Sequence, residues 1–292
     1  MSDQVVIKAE NINKKYEGYS VLKNINFQLK KGQIMGLIGP NGAGKSTFIH
    51  AILGLLPVLG KLLVLDHNPI NERHELMKKV CSITDVAVMP KWMTVQQVLK
   101  FVDGVHPNFD IGKAKQILLN TNIKEEHKIR TLSRGMVVQL HLTIAMAIDA
   151  ELLVLDEPTL GLDLVYRKEF YSKLLEDYYD GDKTILISTH QVEEIEGVLS
   201  DVVFLRKGEV VQNSSIEDLN KRFLELRPNR ENLEKANILN PISVREELGR
   251  KVFLYEEEDI NKLSALGEVR PPAIADLFVA VMEERVKEVK NV

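Results

Sequence analysis

Cysteine is all but missing from the 292 residues: Cys81 stands alone, so no internal disulfide can form, which suits a reducing compartment. Long apolar runs are missing as well. The longest, Ala51–Gly60, spans about ten residues and is broken by Gly54 and Pro57, whereas a membrane-spanning helix needs about 20. Met1-Ser2-Asp3-Gln4 has neither the basic start nor the apolar core of a secretion signal, so the expected location is the cytoplasm. Nor is there an excess of positive charge. The formal net charge is −4, and nucleic-acid backbones demand a clustered cationic surface, so nucleic acid is not an expected partner. His50, His67, His74, His106, His127 and His141 show no zinc-ligand spacing with cysteine. Internal repeats and low-complexity segments are lacking. The rest of the composition, 45% hydrophobic and 27% charged residues, fits a folded chain with room for one large domain and a smaller one.

Residues 1–65 read as short strands at Val5-Val6-Ile7, Phe27-Gln28-Leu29 and Lys61–Leu65, with a compact apolar strand at Ile34–Ile38 and a helix over Lys45–Leu56. Residues 71–150 turn to helical spacing, with Val95, Val98, Leu99 and Val102 on one face and Thr94 and Gln97 spaced as a capping box. Buried-type strands follow at Leu152–Leu155 and Thr184–Ile187, with the helical run Tyr166–Tyr178 between them. Apolar strands alternating with helices predict an α/β fold with a mainly parallel sheet covered on both faces. Strands at Val202–Leu205 and Val210-Val211 close this part, and a boundary near residue 215 separates domain 1–215 from residues 216–292. In the second part Val252–Tyr255 reads as a strand and Ile274–Val289 as a helix. Glu256-Glu257-Glu258-Asp259 reads as a solvated loop, since consecutive residues point in different directions.

Gly39-Pro40-Asn41-Gly42-Ala43-Gly44-Lys45-Ser46-Thr47 carries the spacing G-x-x-x-x-G-K-S between a predicted strand and a predicted helix. Glycines let the backbone curl and come close to phosphate oxygens without Cβ clashes. The N–H groups then converge as an anion nest, continued by the helix amino end. Lys45 supplies a cation to the β- and γ-phosphates, and the Ser46 hydroxyl is placed to ligate Mg²⁺. The apolar strand ending in Asp156-Glu157 completes an ATP site: Asp156 reaches the metal shell, and Glu157 faces the γ-phosphate as general base for the attacking water.

Leu132-Ser133-Arg134-Gly135-Met136 lies between these two motifs. With them it resembles the signature of the nucleotide-binding subunits of ABC transporters, commonly LSGGQ, and the resemblance covers residues 3–215 with six motifs in the family's order. It implies a P-loop NTPase core with an antiparallel β subdomain, a helical signature subdomain at about 71–150, and a small C-terminal α/β extension. It also implies that Tyr16 stacks on adenine, that Ser133 and Gly135 touch the γ-phosphate of a sister subunit, and that Gly161-Leu162-Asp163 crosses the dimer interface. His190 would contact the γ-phosphate. The implied unit is a homodimer or heterodimer, peripheral on the inner face of the membrane, powering integral membrane subunits on separate chains. Ile274-Ala275-Asp276-Leu277-Phe278 resembles the ending of ATPases that serve multidrug and antibiotic exporters.

Three positions depart from the family pattern. Asp85 stands in the glutamine-loop slot, where its charge attracts Mg²⁺ and repels the γ-phosphate; the expectation is a contact with the metal shell, direct or through water. Arg134 replaces the first signature glycine, either beside a partner's phosphates or facing solvent. Met136 replaces the usual glutamine. Trp92 and Met93 fall where a membrane subunit would dock, or else in the core. Two other functions remain open: a soluble ABC-type ATPase of translation, repair or cofactor assembly, and a nucleotide-sensing module without turnover.

Overall fold

The computed structural model describes residues 4–84, 89–160, 164–179 and 181–290. The chain divides into two compact units, Met1–Leu199 with Leu205–Val210, and Ser200–Phe204 with Val211–Val292.

β1 (Val5–Tyr16) and β2 (Tyr19–Lys30) form a hairpin. Its two-residue turn, Glu17-Gly18, has φ values of 45° and 89°, the left-handed pair that matches the twist of the strands. β3 (Ile34–Ile38) leaves this sheet, and β4 (Leu59–Val64) returns to pair antiparallel with β1, giving the order β2-β1-β4. Phe27 of β2 meets Phe48 of the Lys45–Ile52 helix edge to face, with ring centroids 5.5 Å apart. That contact seats the helix on the small sheet.

β5 (Val80–Thr84), β6 (Leu152–Asp156) and β7 (Thr184–Thr189) join β3 in parallel register, in the order β5-β6-β7-β3; β8 (Asp201–Arg206) and β9 (Glu209–Ser215) continue the strand order. Every residue of β3, β6 and β7 is buried. Ile34–Ile38, Leu152–Leu155 and Ile185–Ile187 therefore read as short apolar runs rather than alternating ones, with polar residues at the ends of β6 and β7. Ile38 pairs with Thr189 and Asp156 with Ser188, so the carboxyl ends of three neighbouring strands lie level. In open parallel sheets ligands bind at that edge.

Between β5 and β6 the Thr94–Gln97 capping box forms, with the Gln97 N–H donating to Thr94 Oγ1 at 3.2 Å and the Thr94 N–H to Gln97 Oε1 at 2.8 Å. Some element ends differ from expectation. The helix from Lys45 stops at Ile52 rather than Leu56, because Gly54 adopts φ 64° and a Cβ there would lie 2.0 Å from the Pro69 carbonyl oxygen. The helix after β6 begins at Leu164 and closes in a π-helical turn, Leu174–Tyr178. Cys81 is buried in β5, and burial pushes its thiol up to about 12. Trp92 is 72% exposed and has no core role.

The second unit holds an antiparallel sheet of β10 (Phe223–Pro228), β11 (Ser243–Glu247), β12 (Arg250–Glu256) and β13 (Gly267–Arg270), in the order β11-β12-β10-β13. Leu224, Leu226, Phe253, Tyr255, Ala236 and Leu263 form its core. Of the acidic run, Asp259 caps the Ile260–Ser264 helix and Glu258 pairs with Lys262 at 3.2 Å.

Glu225 is fully buried in β10, with Arg245 at 2.6 Å and Arg270 at 2.7 Å. Burial raises its pKa, but hydrogen bonds and charge from Arg245 and Arg270 outweigh this and hold the carboxyl below its ordinary 4.5. A depressed carboxyl stabilises the fold fully above its unfolded value and stops doing so as pH falls through the folded one. The unit is thus expected to lose stability in acid below 4.5. Glu225→Gln should be less stable at neutral pH by about 3 kcal/mol, because the arginines lose their partner, and should show a flatter acid dependence in urea melts. Equal acid slopes for the two proteins would contradict this.

Candidate nucleotide site

The loop after β3 is shaped by glycines. A Cβ on Gly39 would lie 2.5 Å from the Leu205 carbonyl oxygen, and Gly44, which caps the Lys45–Ile52 helix, has φ 107°. Neither position admits a side chain without moving backbone. Lys45 is 6% exposed, and its Nζ donates to Gly39 O at 2.7 Å while lying 3.5 Å from Pro40 O and from Glu157 Oε1. The ammonium is held inside the concave loop by the loop's own carbonyls. Asn41 and Ser46 are exposed, and Thr47 is half-buried.

Asp156, 9% exposed at the end of β6, accepts from Ser188 Oγ at 2.7 Å through Oδ1. Glu157 comes next with φ 49°, a left-handed backbone that costs a non-glycine residue about 1–3 kcal/mol. Its N–H donates to Ser188 O at 3.0 Å, which pins that conformation. The turn swings the carboxylate toward β7, where His190 Nδ1 lies 2.9 Å from both oxygens and Thr189 Oγ1 donates at 3.3 Å. Lys45 and His190 thus both lie beside the Glu157 carboxylate, and Asp156 is the residue before it at the end of β6.

Other expected residues stand apart from this cluster. Tyr16 ends β1, 46% exposed, with Lys14 Nζ 5.1 Å from its ring centroid and anchored on Pro57 O at 2.8 Å. A cation within about 6 Å of a ring centroid is attracted by the ring's electron-rich face. Ser133 is the exposed N-cap of the Arg134–Ala147 helix, accepting from the Met136 N–H at 3.2 Å. Gly135 is buried beneath the Tyr166 ring, where a Cβ would come within 3.3 Å. Arg134 faces outward. Asp85 and the Gly161-Leu162-Asp163 stretch lie outside the described residues.

Local sequence pattern gives no role to Ser188, Thr189 or Lys14. For Ser188 and Thr189 parallel register is the missing information: 156 pairs with 188, which sets Ser188 beside Asp156 and Thr189 beside Glu157. Among the described residues no helix is long and apolar enough to cross a membrane.

A family profile described as ABC transporter matches residues 22–160. The bacitracin transport ATP-binding protein BcrA of Enterococcus faecalis is 32% identical over 75% of this chain and 72% of its own. The manganese transport system ATP-binding protein MntB of Halalkalibacterium halodurans is 32% identical over 73% and 88%. The linearmycin resistance ATP-binding protein LnrL of Bacillus subtilis (strain 168) is 30% identical over 75% and 72%. Among solved structures, an ATP-binding subunit of an ABC transporter superposes with a TM-score of 0.66 at 22% identity, covering 73% of this chain and 91% of that one. The cbiO1 protein of Clostridium perfringens, part of the cbiONQ transporter complex, gives 0.64 at 24% identity over 74% and 90%. With 32% identity to BcrA over three quarters of its length, the chain belongs to the ATP-binding subunits of the ABC transporter family.

Proposed function

We propose that the chain hydrolyses Mg-ATP and passes the resulting motion to an exporter whose membrane spans lie on separate chains. The carrying observation is the cluster at the strand ends: Lys45 Nζ 3.5 Å from a Glu157 carboxylate that is itself 2.9 Å from His190. Lys45 holds the β- and γ-phosphates, Glu157 orients and deprotonates the attacking water, and His190 and Thr189 fix the Glu157 carboxylate. Tyr16 stacks on adenine, and backbone N–H groups of residues 39–47 cradle the phosphates.

Ser46 and Asp156 fit Mg²⁺. Hydroxyl and carboxylate oxygens are the hard donors it takes, and among the described residues no trio of His, Cys, Asp and Glu forms a protein cage. That is the usual situation when Mg²⁺ is shared between one or two side chains and substrate phosphates. The bound ion would add positive charge to the phosphate oxygens. Asp85 is proposed to meet the same metal shell.

Residues 1–215 form the ATP-binding domain in this reading, with a helical subdomain at about 71–150, and 216–292 an accessory region. Ser133, at the exposed amino end of its helix, faces the site of a sister subunit, the same chain or a related one; Gly135 and Asp163 are assigned to the same boundary, although Gly135 is covered by the Tyr166 ring in the single chain. N–H dipoles at Ser133 favour the γ-phosphate, so ATP bridges two subunits and ADP does not. Exposed Trp92 is offered to the membrane subunit. Similarity to the bacitracin and linearmycin proteins supports export and a cytoplasmic, membrane-peripheral place.

Light scattering tests the bridge. Glu157→Gln protein should run at dimer mass with Mg-ATP and at monomer mass with Mg-ADP, and adding Ser133→Arg should abolish the dimer. A monomer at saturating Mg-ATP would remove the closure step from the proposal.

A further inference from the structure

Two segments leave the catalytic strands side by side, and one arginine from a third element grips the residues just beyond both. Arg167, in the first turn of the Leu164–Lys173 helix, donates through Nη1 to Gln191 Oε1 at 2.6 Å and also forms an ion pair with Glu194 Oε1. The other Glu194 oxygen accepts from Thr159 Oγ1 at 3.3 Å, and Thr159 stands two residues beyond Glu157. Gln191 is the next residue after His190, and its N–H donates to Thr189 Oγ1 at 3.0 Å. These contacts, with the chain itself joining Glu157 to Thr159 and His190 to Gln191, close a ring: Glu157, Thr159, Glu194, Arg167, Gln191, His190, and back to Glu157.

The ion pair in the ring and its threonine partner are largely buried. Thr159 is 2% exposed, and the side chains of Arg167 and Glu194 keep 19% and 15% of their surface. Tyr171 lies 3.4 Å from Thr159 and reports the local field. Burial first, then the charges of Glu194 and Glu157, raise its hydroxyl, while Thr159 and Arg167 lower it. The two carboxylates and the guanidinium thus act on one small volume. Without Arg167, Glu194 would stand largely buried with its charge unpaired and the Thr159 hydroxyl as its remaining contact in the ring.

We infer that Arg167 is a positioning residue: through Gln191 and Glu194 it locks the exits of β6 and β7 together, so that Glu157 and His190 keep their mutual geometry and move with the helix that begins at Leu164. It acts through other residues and is not itself catalytic. The inference rests on the proposed roles of Glu157 and His190. Its partners come after the strand ends and lie outside the phosphate loop, so nucleotide binding is left largely intact while turnover depends on it. Displacing a reacting group by about 1 Å costs up to about 100-fold in rate.

Steady-state phosphate release by the full chain with Mg-ATP provides the test. Arg167→Met keeps the stem of the side chain, and should lower kcat by about 10- to 100-fold with KM within about twofold. Arg167→Lys, which keeps the charge but loses the planar fork, should recover part of the rate. Combining Arg167→Met with Glu194→Gln should cost little more than either alone, since both break one unit. Natural kcat in Arg167→Met would overturn the inference. So would additive losses in the double variant, or a KM that rises in step with a falling melting temperature without rescue by lysine, the pattern of a merely structural residue. Glu157→Gln is assayed beside them: full activity there would sink the underlying reading and this inference together, whereas loss there with a natural rate in Arg167→Met would sink this one alone.

Discussion

Lys45→Met should bind Mg-ATP about 100-fold more weakly than the natural protein while melting at nearly the same temperature. The methionine keeps the buried stem and removes only the ammonium, so the packing of a side chain that is 6% exposed survives. Two competing effects set the size of the loss. A unit charge about 4 Å from a phosphate oxygen contributes about 4 kcal/mol at an effective dielectric near 20. Against this, Lys45 already donates to Gly39 O and sits near Glu157, contacts it must share with the incoming phosphates. A net cost of about 3 kcal/mol corresponds to about 100-fold in Kd. Titration calorimetry with Mg-ATP, alongside a thermal melt, reads both numbers. Unchanged affinity would show that the loop does not grip a triphosphate through this residue, and the nucleotide site would have to be sought elsewhere.

The parts of this fold that are readable in the sequence are those where one physical signal acts alone. β3, β6 and β7 are buried along their whole length, so burial writes all but their polar ends, and Ile34–Ile38 is found at the expected residues. The phosphate loop is similarly plain, because close backbone approach leaves few alternatives to glycine. The C-terminal sheet is legible only in β12, where Val252–Tyr255 reads as a strand, and its other strands are hidden for the opposite reason. β10 buries Glu225 at an inward position, and β11 reads Ser-Val-Arg-Glu-Glu, so ion pairing stands where an apolar pattern would have marked a strand. The half-visible feature is the site itself. Asp156, Glu157 and His190 are each legible as types at strand ends, but their meeting depends on β6 lying beside β7, and strand order is not written in local pattern. Arg167 is invisible on the same grounds: its partners lie 24 and 27 residues further along the chain.

Glu157→Gln should slow phosphate release by about 10²- to 10⁴-fold, the range for loss of a general base, with little change in Mg-ATP affinity. The substitution isolates basicity because the geometry around residue 157 is held by more than the carboxylate charge. The backbone is fixed at φ 49° by the bond from the residue 157 N–H to Ser188 O, and an amide of the same shape can still accept from Thr189. What it cannot do is take a proton from water. The strained backbone argues that position matters here, since a conformation costing about 1–3 kcal/mol persists only where surrounding contacts over-determine it. Lys45 also loses a nearby negative charge in the variant, so nucleotide affinity should hold or rise rather than fall. That direction separates the hydrolytic reading from a sensor that binds without turnover. In a sensor Glu157 would serve only to hold His190, the natural protein and the variant would release phosphate at the same negligible rate, and affinity would be the sole property to shift. A large rate loss at unchanged or tighter binding assigns the carboxylate to the attacking water; equal rates would leave the cluster of Lys45, Glu157 and His190 as a binding device only.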